Sequence, residues 1–151
     1  MPDKIAVPAG ILLLRLSLGF LFIAHLYWKF VVLNGGLATW WGLLEKAGYP
    51  AIVPVYVLTA EIAGAVFITA GLFTRWVSLY TLPFMIGAAH FWTVRKGFFF
   101  TDAGSELPVV WALMLAAQAL LGDGAYSLAA LRRRQADATS LAAPATERPA
   151  L

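Results

Sequence analysis

The stretch PAGILLLRLSLGFLFIAHLYWKFVVL, residues 8–33, decides the fold of this chain. It is an apolar run that, at about 1.5 Å per residue in a helix, is long enough to cross a hydrocarbon core about 30 Å thick. Arg15 interrupts the apolar region and no small-residue cleavage site follows, so the run is not typical of a signal peptide. We therefore predict a membrane span here.

The composition of the whole chain also indicates a membrane protein. Of its 151 residues 61% are hydrophobic and only 13% are charged, and the mean hydropathy is +0.78, whereas soluble domains are about 45–50% apolar and about 25% charged. The absence of cysteine excludes disulfides, iron–sulfur clusters and thiol chemistry. The net charge of +3 lies mostly in the helix flanks and the C-terminal tail, so it informs topology rather than nucleic-acid binding. The chain is predicted to be an integral membrane protein whose first partner is the lipid bilayer.

Three further apolar runs predict three further spans, at about residues 50–73, 75–96 and 106–122, with Pro83 expected to kink the third. Four spans within residues 1–124 leave only short loops between them. Short connections favour antiparallel neighbours, so we predict an all-α, antiparallel four-helix transmembrane bundle.

Two segments do not match a span. NGGLATWWGLLEKAGYP, residues 34–50, carries an apolar, tryptophan-bearing surface and predicts a short interfacial helix between the first two spans. The tail, residues 125–151, is basic and rich in Ala, Thr and Pro, and we expect it to be disordered beyond its first turn.

The basic residues predict the orientation of the bundle. With four spans, the N-terminus, the corner at residues 71–76 and the tail share one side of the membrane, and the triplet Arg132–Arg134 lies beside the last span on that side. Cytoplasmic loops carry an excess of Lys and Arg. This favours a multi-pass protein of the inner membrane with both termini, and hence the tail, in the cytoplasm.

Several ionisable residues fall inside the predicted spans, where a charge usually faces the bundle interior and a partner. From the helix rise, Arg15 lies about 9 Å from the inner end of its span, Glu61 about 18 Å, His90 about 22 Å and His25 about 24 Å. A long arginine side chain can extend toward a partner at another depth. We therefore predict that Arg15 and Glu61 form an ion pair. Fixing the register of the two helices, without a chemical role, is the alternative interpretation of this pair.

The same depths predict a candidate site. Glu61, His25 and His90 share a layer near mid-bilayer, and we assign them as candidate catalytic residues. A quinone headgroup needs hydrogen-bond partners for its two carbonyls, a proton route and apolar walls. His25 and His90 would bind the carbonyls, and Phe22 and Trp92 would form the walls.

Other interpretations of these residues remain open. A b-type haem ligated by His25 and His90 is an alternative, although two histidines are a weak signal. Each histidine could also satisfy its hydrogen bonds within the bundle, and the aromatic residues could form an interfacial belt. We assign no metal site.

Three fragments carry a resemblance to a known family: LLLRLSLGFLFIAHLYWKF (residues 12–30), TAEIAGAVFITAGLFTRWVSL (59–79) and LLGDGAYSL (120–128). In this order and spacing they resemble the DoxX family of small bacterial membrane proteins, over about residues 9–129. The residues that match the family pattern are Arg15, Gly19, Lys29, Glu61, Gly64, Gly71, Thr74, Arg75, Gly122, Gly124 and Ser127. Asp123 stands where the family pattern has Pro, and His90 lies outside the matching motifs.

The resemblance implies a four-helix membrane bundle in the bacterial inner membrane and a link to membrane oxidoreductases, since the DoxD-type relative is a subunit of a thiosulfate:quinone oxidoreductase. We therefore predict a subunit of a quinone-linked oxidoreductase system. The chain has no evident redox group of its own, so electrons would come from a redox partner subunit. The alternatives are a scaffold whose basic tail recruits a soluble partner, and a small transporter, for which a charged pair at mid-membrane is also expected.

Overall fold

A computed structural model describes residues 3–142 of the chain, and every regular element within that range is helical. The elements are α1 (Asp3–Tyr27), which continues into a π-helical turn (Trp28–Val32); α2 (Gly36–Lys46); α3 (Ile52–Ala63), which continues into a second π-helical turn (Gly64–Ile68); α4 (Thr74–Lys96); a short 3₁₀ turn (Phe100–Asp102); α5 (Glu106–Leu121); and α6 (Leu128–Ala142).

Two of these helices are long and apolar enough to cross a membrane, namely Lys4–Val32 with 29 residues and Thr74–Lys96 with 23. At about 1.5 Å per residue, the shorter of the two spans about 35 Å. Ile52–Ile68 and Glu106–Leu121 are also apolar but shorter, and the 16 residues of α5 span about 24 Å.

Polar side chains lie inside the structure and large apolar side chains lie outside it, which is the arrangement expected of a protein surrounded by lipid. The polar residues with no exposed surface are Glu61, Thr74, Ser78, Thr81, Ser105 and Gln118. By contrast Phe20, Val94 and Leu120 are each more than two-thirds exposed. Two of the four membrane helices predicted from the sequence are therefore supported by helices long and apolar enough to cross a membrane.

The core is a small apolar cluster formed where α1, α3, α4 and α5 meet. Its buried members are Leu18, Phe22, Ile68, Met85, Trp111 and Leu115. The cluster fixes how the helices are rotated about their axes, and it therefore decides which polar side chains turn inward beside it.

Glycines allow α1 and α3 to approach closely. A Cβ on Gly64 would lie 2.8 Å from Cγ of Phe22, and one on Gly19 would lie 3.3 Å from Cα of Thr69. Small residues permit this spacing between membrane helices. Along this contact Gly19 faces Thr69, Phe22 faces Gly64, and farther on a residue in the π-helical turn of α1 meets Glu61.

The corner between α3 and α4 is held by the loop that follows α5. Gly71 and Phe73 adopt left-handed backbone conformations, with φ of 70° and 54°, and α4 begins at Thr74. Oδ1 of Asp123 accepts hydrogen bonds from the Thr74 amide at 2.9 Å and from its hydroxyl at 3.0 Å. The carboxylate satisfies an amide that the first turn of a helix leaves free.

The predicted spans and tail differ from the observed elements in two ways. The second predicted span, 50–73, ends as a helix at Ile68, because the chain then enters the turn around Gly71.

The prediction of disorder beyond the first turn of the tail is wrong as far as Ala142, since α6 is a 15-residue helix. Its sequence, LAALRRRQADATSLA, consists largely of residues with good helix propensity. Residues 143–151 of the predicted disordered segment lie outside the described range. The short helix predicted between the first two spans is α2.

Candidate functional site

Glu61 and Lys29 form a buried ion pair between α3 and the π-helical turn of α1. The ammonium group of Lys29 donates a hydrogen bond to Oε2 of Glu61. Glu61 has no exposed surface and Lys29 is 3% exposed. A charge inside a membrane protein is stable only with such a partner, and residues of this kind are functional candidates by default.

Trp40 of α2 closes the pair on one side. The Nζ atom of Lys29 lies 4.2 Å from the centroid of the Trp40 ring, within the range of a cation–π interaction. The Trp40 ring is buried, with 9% of the residue exposed. The short helix α2 therefore covers the ion pair with an aromatic side chain.

A second group of side chains lies beside the pair on the same face of α1. Phe22, His25 and Lys29 are three and four residues apart, a spacing that aligns them along one side of a helix. The centroid of the Trp111 ring from α5 lies 4.7 Å from that of His25 and 5.1 Å from that of Phe22. Phe22 and Trp111 are buried, whereas His25 is exposed. His25 is thus the member of the group that faces the surroundings of the bundle.

Two buried polar atoms in this region have no hydrogen-bond partner among the described residues. They are Oε1 of Glu61 and Nε1 of Trp111. An unsatisfied buried polar group costs about 1–3 kcal/mol. One buried acceptor and one buried donor are therefore left without a protein partner among the described residues.

The predicted ion pair of Arg15 with Glu61 is wrong. Arg15 instead donates hydrogen bonds to the backbone oxygens of Asp123 at 2.8 Å and Tyr126 at 2.5 Å. Arg15 and Lys29 are fourteen residues apart, about 21 Å along the helix. An arginine side chain cannot cover that distance to reach Glu61. It binds carbonyl groups in the loop after α5, where backbone acceptors lack partners within a helix.

Two of the other predicted site residues lie elsewhere. His90 and Trp92 are on α4 and both are exposed. Trp92 packs against Phe91, with 5.3 Å between ring centroids. The imidazole of His90 makes no hydrogen bond or ring contact within residues 3–142. Of the predicted residues, His25 and Phe22 both pack against Trp111, on the face of α1 that also carries Lys29, the partner of Glu61. His90 and Trp92 have no contact with this group among the ring contacts and side-chain hydrogen bonds of residues 3–142.

Sequence reasoning missed three members of this group. Lys29 matched the family pattern but was not paired with Glu61, and Trp40 was placed only on the tryptophan-bearing surface of the interfacial helix predicted in residues 34–50. Trp111 gave no signal, because it is one aromatic residue in an apolar run. The missed pairing had a signal in the family pattern, which contains both Lys29 and Glu61.

Comparison with known proteins gives one match. No curated protein and no solved structure matches the chain significantly. The sequence model of the DoxX family matches residues 10–96, which is more than half of the chain and includes both members of the buried pair. The chain therefore belongs to the DoxX family.

Proposed function

We propose that this protein is the quinone-binding membrane subunit of an oxidoreductase system, with the quinone headgroup held beside Glu61 and Lys29. The observation that carries the proposal is the buried ion pair of Lys29 with Glu61, in which Oε1 of the carboxylate has no partner among the described residues. A second buried group without such a partner is the indole N–H of Trp111, whose ring packs against Phe22 and His25 of α1. Electrons would come from a partner subunit, because no redox group of the chain is evident in its sequence.

The proposal includes a four-span antiparallel bundle in the inner membrane with both termini in the cytoplasm. The contacts between α1 and α3 support it, because Gly19, Phe22 and Lys29 meet Thr69, Gly64 and Glu61 in reversed order. The shorter apolar helices, α3 with its π-helical turn and α5, would be the remaining two spans.

The residues of the site match the needs of a quinone. A bound quinone would supply the two-electron chemistry that the side chains lack. Nε1 of Trp111 is a free donor for one carbonyl oxygen, and the ammonium group of Lys29 has three donors, of which Glu61 takes one. Glu61 would deliver or accept the proton through its free oxygen. Phe22 supplies an apolar wall.

His25 marks the side of access in this proposal. It is exposed and lies against Trp111, so a lipid-soluble ring could reach the free indole N–H from the bilayer without crossing water. Trp40 of α2 covers Lys29.

The experiment is a binding measurement with two matched substitutions. Glu61→Gln keeps the shape of the side chain and removes its titration, and Glu45→Gln makes the same change at an exposed residue of α2. Protein purified in mild detergent is extracted for mass spectrometry of co-purified quinone, and is titrated with a short-chain quinone by tryptophan fluorescence quenching. Wild type and Glu45→Gln should bind quinone, and Glu61→Gln should bind it at least tenfold more weakly. Absence of quinone from wild type, together with identical quenching of all three proteins, would exclude the quinone site.

A scaffold is the second candidate function, and α6 favours it. Residues 131–140 of this helix are all exposed, including Arg132, Arg133 and Arg134. An exposed basic helix can recruit a soluble acidic partner. A chain truncated before Leu128 should keep quinone binding but lose crosslinks to such a partner in intact cells, which separates the two functions.

A further inference from the structure

A cleft of about 490 Å³ lies at the end of the structure distant from Glu61, between the end of α3 and the beginning of α6. Its basic residues are Arg15 and Arg134, and its apolar walls include Ala70, Leu128 and Leu131. None of its lining residues is acidic. The cleft therefore combines positive charge with apolar walls.

Arg15 is 96% buried, as only 4% of its surface is exposed. Two of its nitrogens bind backbone carbonyls, but Nε has no partner among the described residues. The hydroxyl of Thr69, which also lines the cleft, is likewise without a partner. The Thr69 hydroxyl faces Gly19 of α1, so of these two groups the arginine N–H is the one suited to an anionic oxygen.

The position of the cleft identifies the kind of anion. The cleft adjoins the turn where α3 ends and α4 begins, which is a membrane surface in the arrangement proposed above. Leu128, Leu131 and Tyr126 lie beside it and are exposed. A free phosphate ion would match the charge but leave these apolar groups in water. The headgroup of a membrane lipid would match both.

We propose that this cleft binds the phosphate of an anionic phospholipid. Arg134 binds the phosphate at the mouth of the cleft and Arg15 adds positive charge at its base, while the glycerol and first methylene groups lie against Leu128 and Leu131. The lipid would thereby join α6 to the bundle.

The three consecutive arginines of α6 provide a matched pair of variants. Arg134 lines this cleft, whereas Arg132 does not. Arg134→Gln and Arg132→Gln therefore remove the same charge from two positions of the same exposed helix that are two residues apart and point in different directions. The full chain is released from detergent and titrated in native mass spectrometry with phosphatidylglycerol, with phosphatidylcholine of the same acyl chains, and with inorganic phosphate.

Wild type should retain one phosphatidylglycerol per chain and prefer it to phosphatidylcholine. Arg134→Gln should weaken that binding about fivefold, the effect of one basic residue near an anionic surface, and Arg132→Gln should leave it unchanged. Equal losses in both variants would indicate only general charge attraction and would overturn the proposal. So would equal binding of the two lipids, or displacement of phosphatidylglycerol by an equimolar amount of inorganic phosphate. Far-UV circular dichroism checks that both variants keep wild-type helix content. Quinone binding should be the same in all three proteins, so this proposal and the quinone site can fail separately.

Discussion

Replacing Lys29 with methionine removes the only ionic partner that the structure gives Glu61 within residues 3–142. Glu61 has no exposed surface, and breaking a buried ion pair on one side typically costs about 3–5 kcal/mol of stability. The carboxylate can avoid remaining charged by taking up a proton. At pH 7 that costs about 3.7 kcal/mol for a glutamate with the reference pKa of about 4.3. We therefore expect Lys29→Met to lower the free energy of unfolding by about 3–4 kcal/mol, including the lost contact with Trp40.

The same reasoning predicts a pH dependence for this variant. Its folded state would hold a proton on Glu61 that the unfolded chain releases above about pH 4.3. The free energy of unfolding of the variant should therefore rise as the pH falls. Between pH 7 and pH 5 the difference from wild type should shrink by about 2–3 kcal/mol.

The assay is unfolding in mixed micelles of increasing SDS content, followed by far-UV circular dichroism. Lys46→Met is the control, because it removes the same charge from an exposed position at the end of α2. Glu61→Met and the double variant complete a double-mutant cycle. The double variant should be more stable than Lys29→Met, since it leaves no buried charge without a partner. Additive losses in the cycle, or equal effects of Lys29→Met and Lys46→Met, would refute the pairing.

Two further predictions concern packing and topology. Gly64→Ala should destabilise the protein by about 1–3 kcal/mol, because the new methyl group would meet the ring of Phe22. Gly87→Ala should not destabilise it, because no atom lies within 4 Å of the new methyl group. Equal unfolding midpoints for the two variants would contradict the close contact between α1 and α3. The chain contains no cysteine, so single cysteines at the exposed residues Ala103 and Ala138 report topology cleanly. In intact cells an impermeant thiol reagent should label position 103 and not position 138, and the opposite pattern would reverse the proposed orientation.

Part of the candidate site could be predicted from sequence because depth in a membrane is nearly a local property. The apolar runs located the helices, and Glu61 stood out as a carboxylate inside one of them. His25 and Phe22 were found because helical spacing places them on the same face of α1. His90 was assigned to the same layer by depth alone, but it lies on the exposed face of α4. Depth in the membrane does not tell which way a side chain points. That direction depends on how the helix is rotated about its axis.

By itself, the sequence determined that this is a helical membrane protein of the DoxX family with a carboxylate buried among apolar residues. Hydrophobicity and helical period act over a few neighbouring residues, so they can be recognised without knowledge of the packing. Only the tertiary structure decided that Lys29, rather than Arg15, is the partner of Glu61. The contacts of Gly19 with Thr69 and of Phe22 with Gly64 set how far α1 is displaced along α3. This displacement decides which basic side chain of α1 lies beside Glu61. The partner of Glu61 also depends on the other contacts of Arg15, because the Arg15 guanidinium group binds backbone carbonyls of the loop after α5. Both effects involve residues distant in the chain, and no local pattern encodes them.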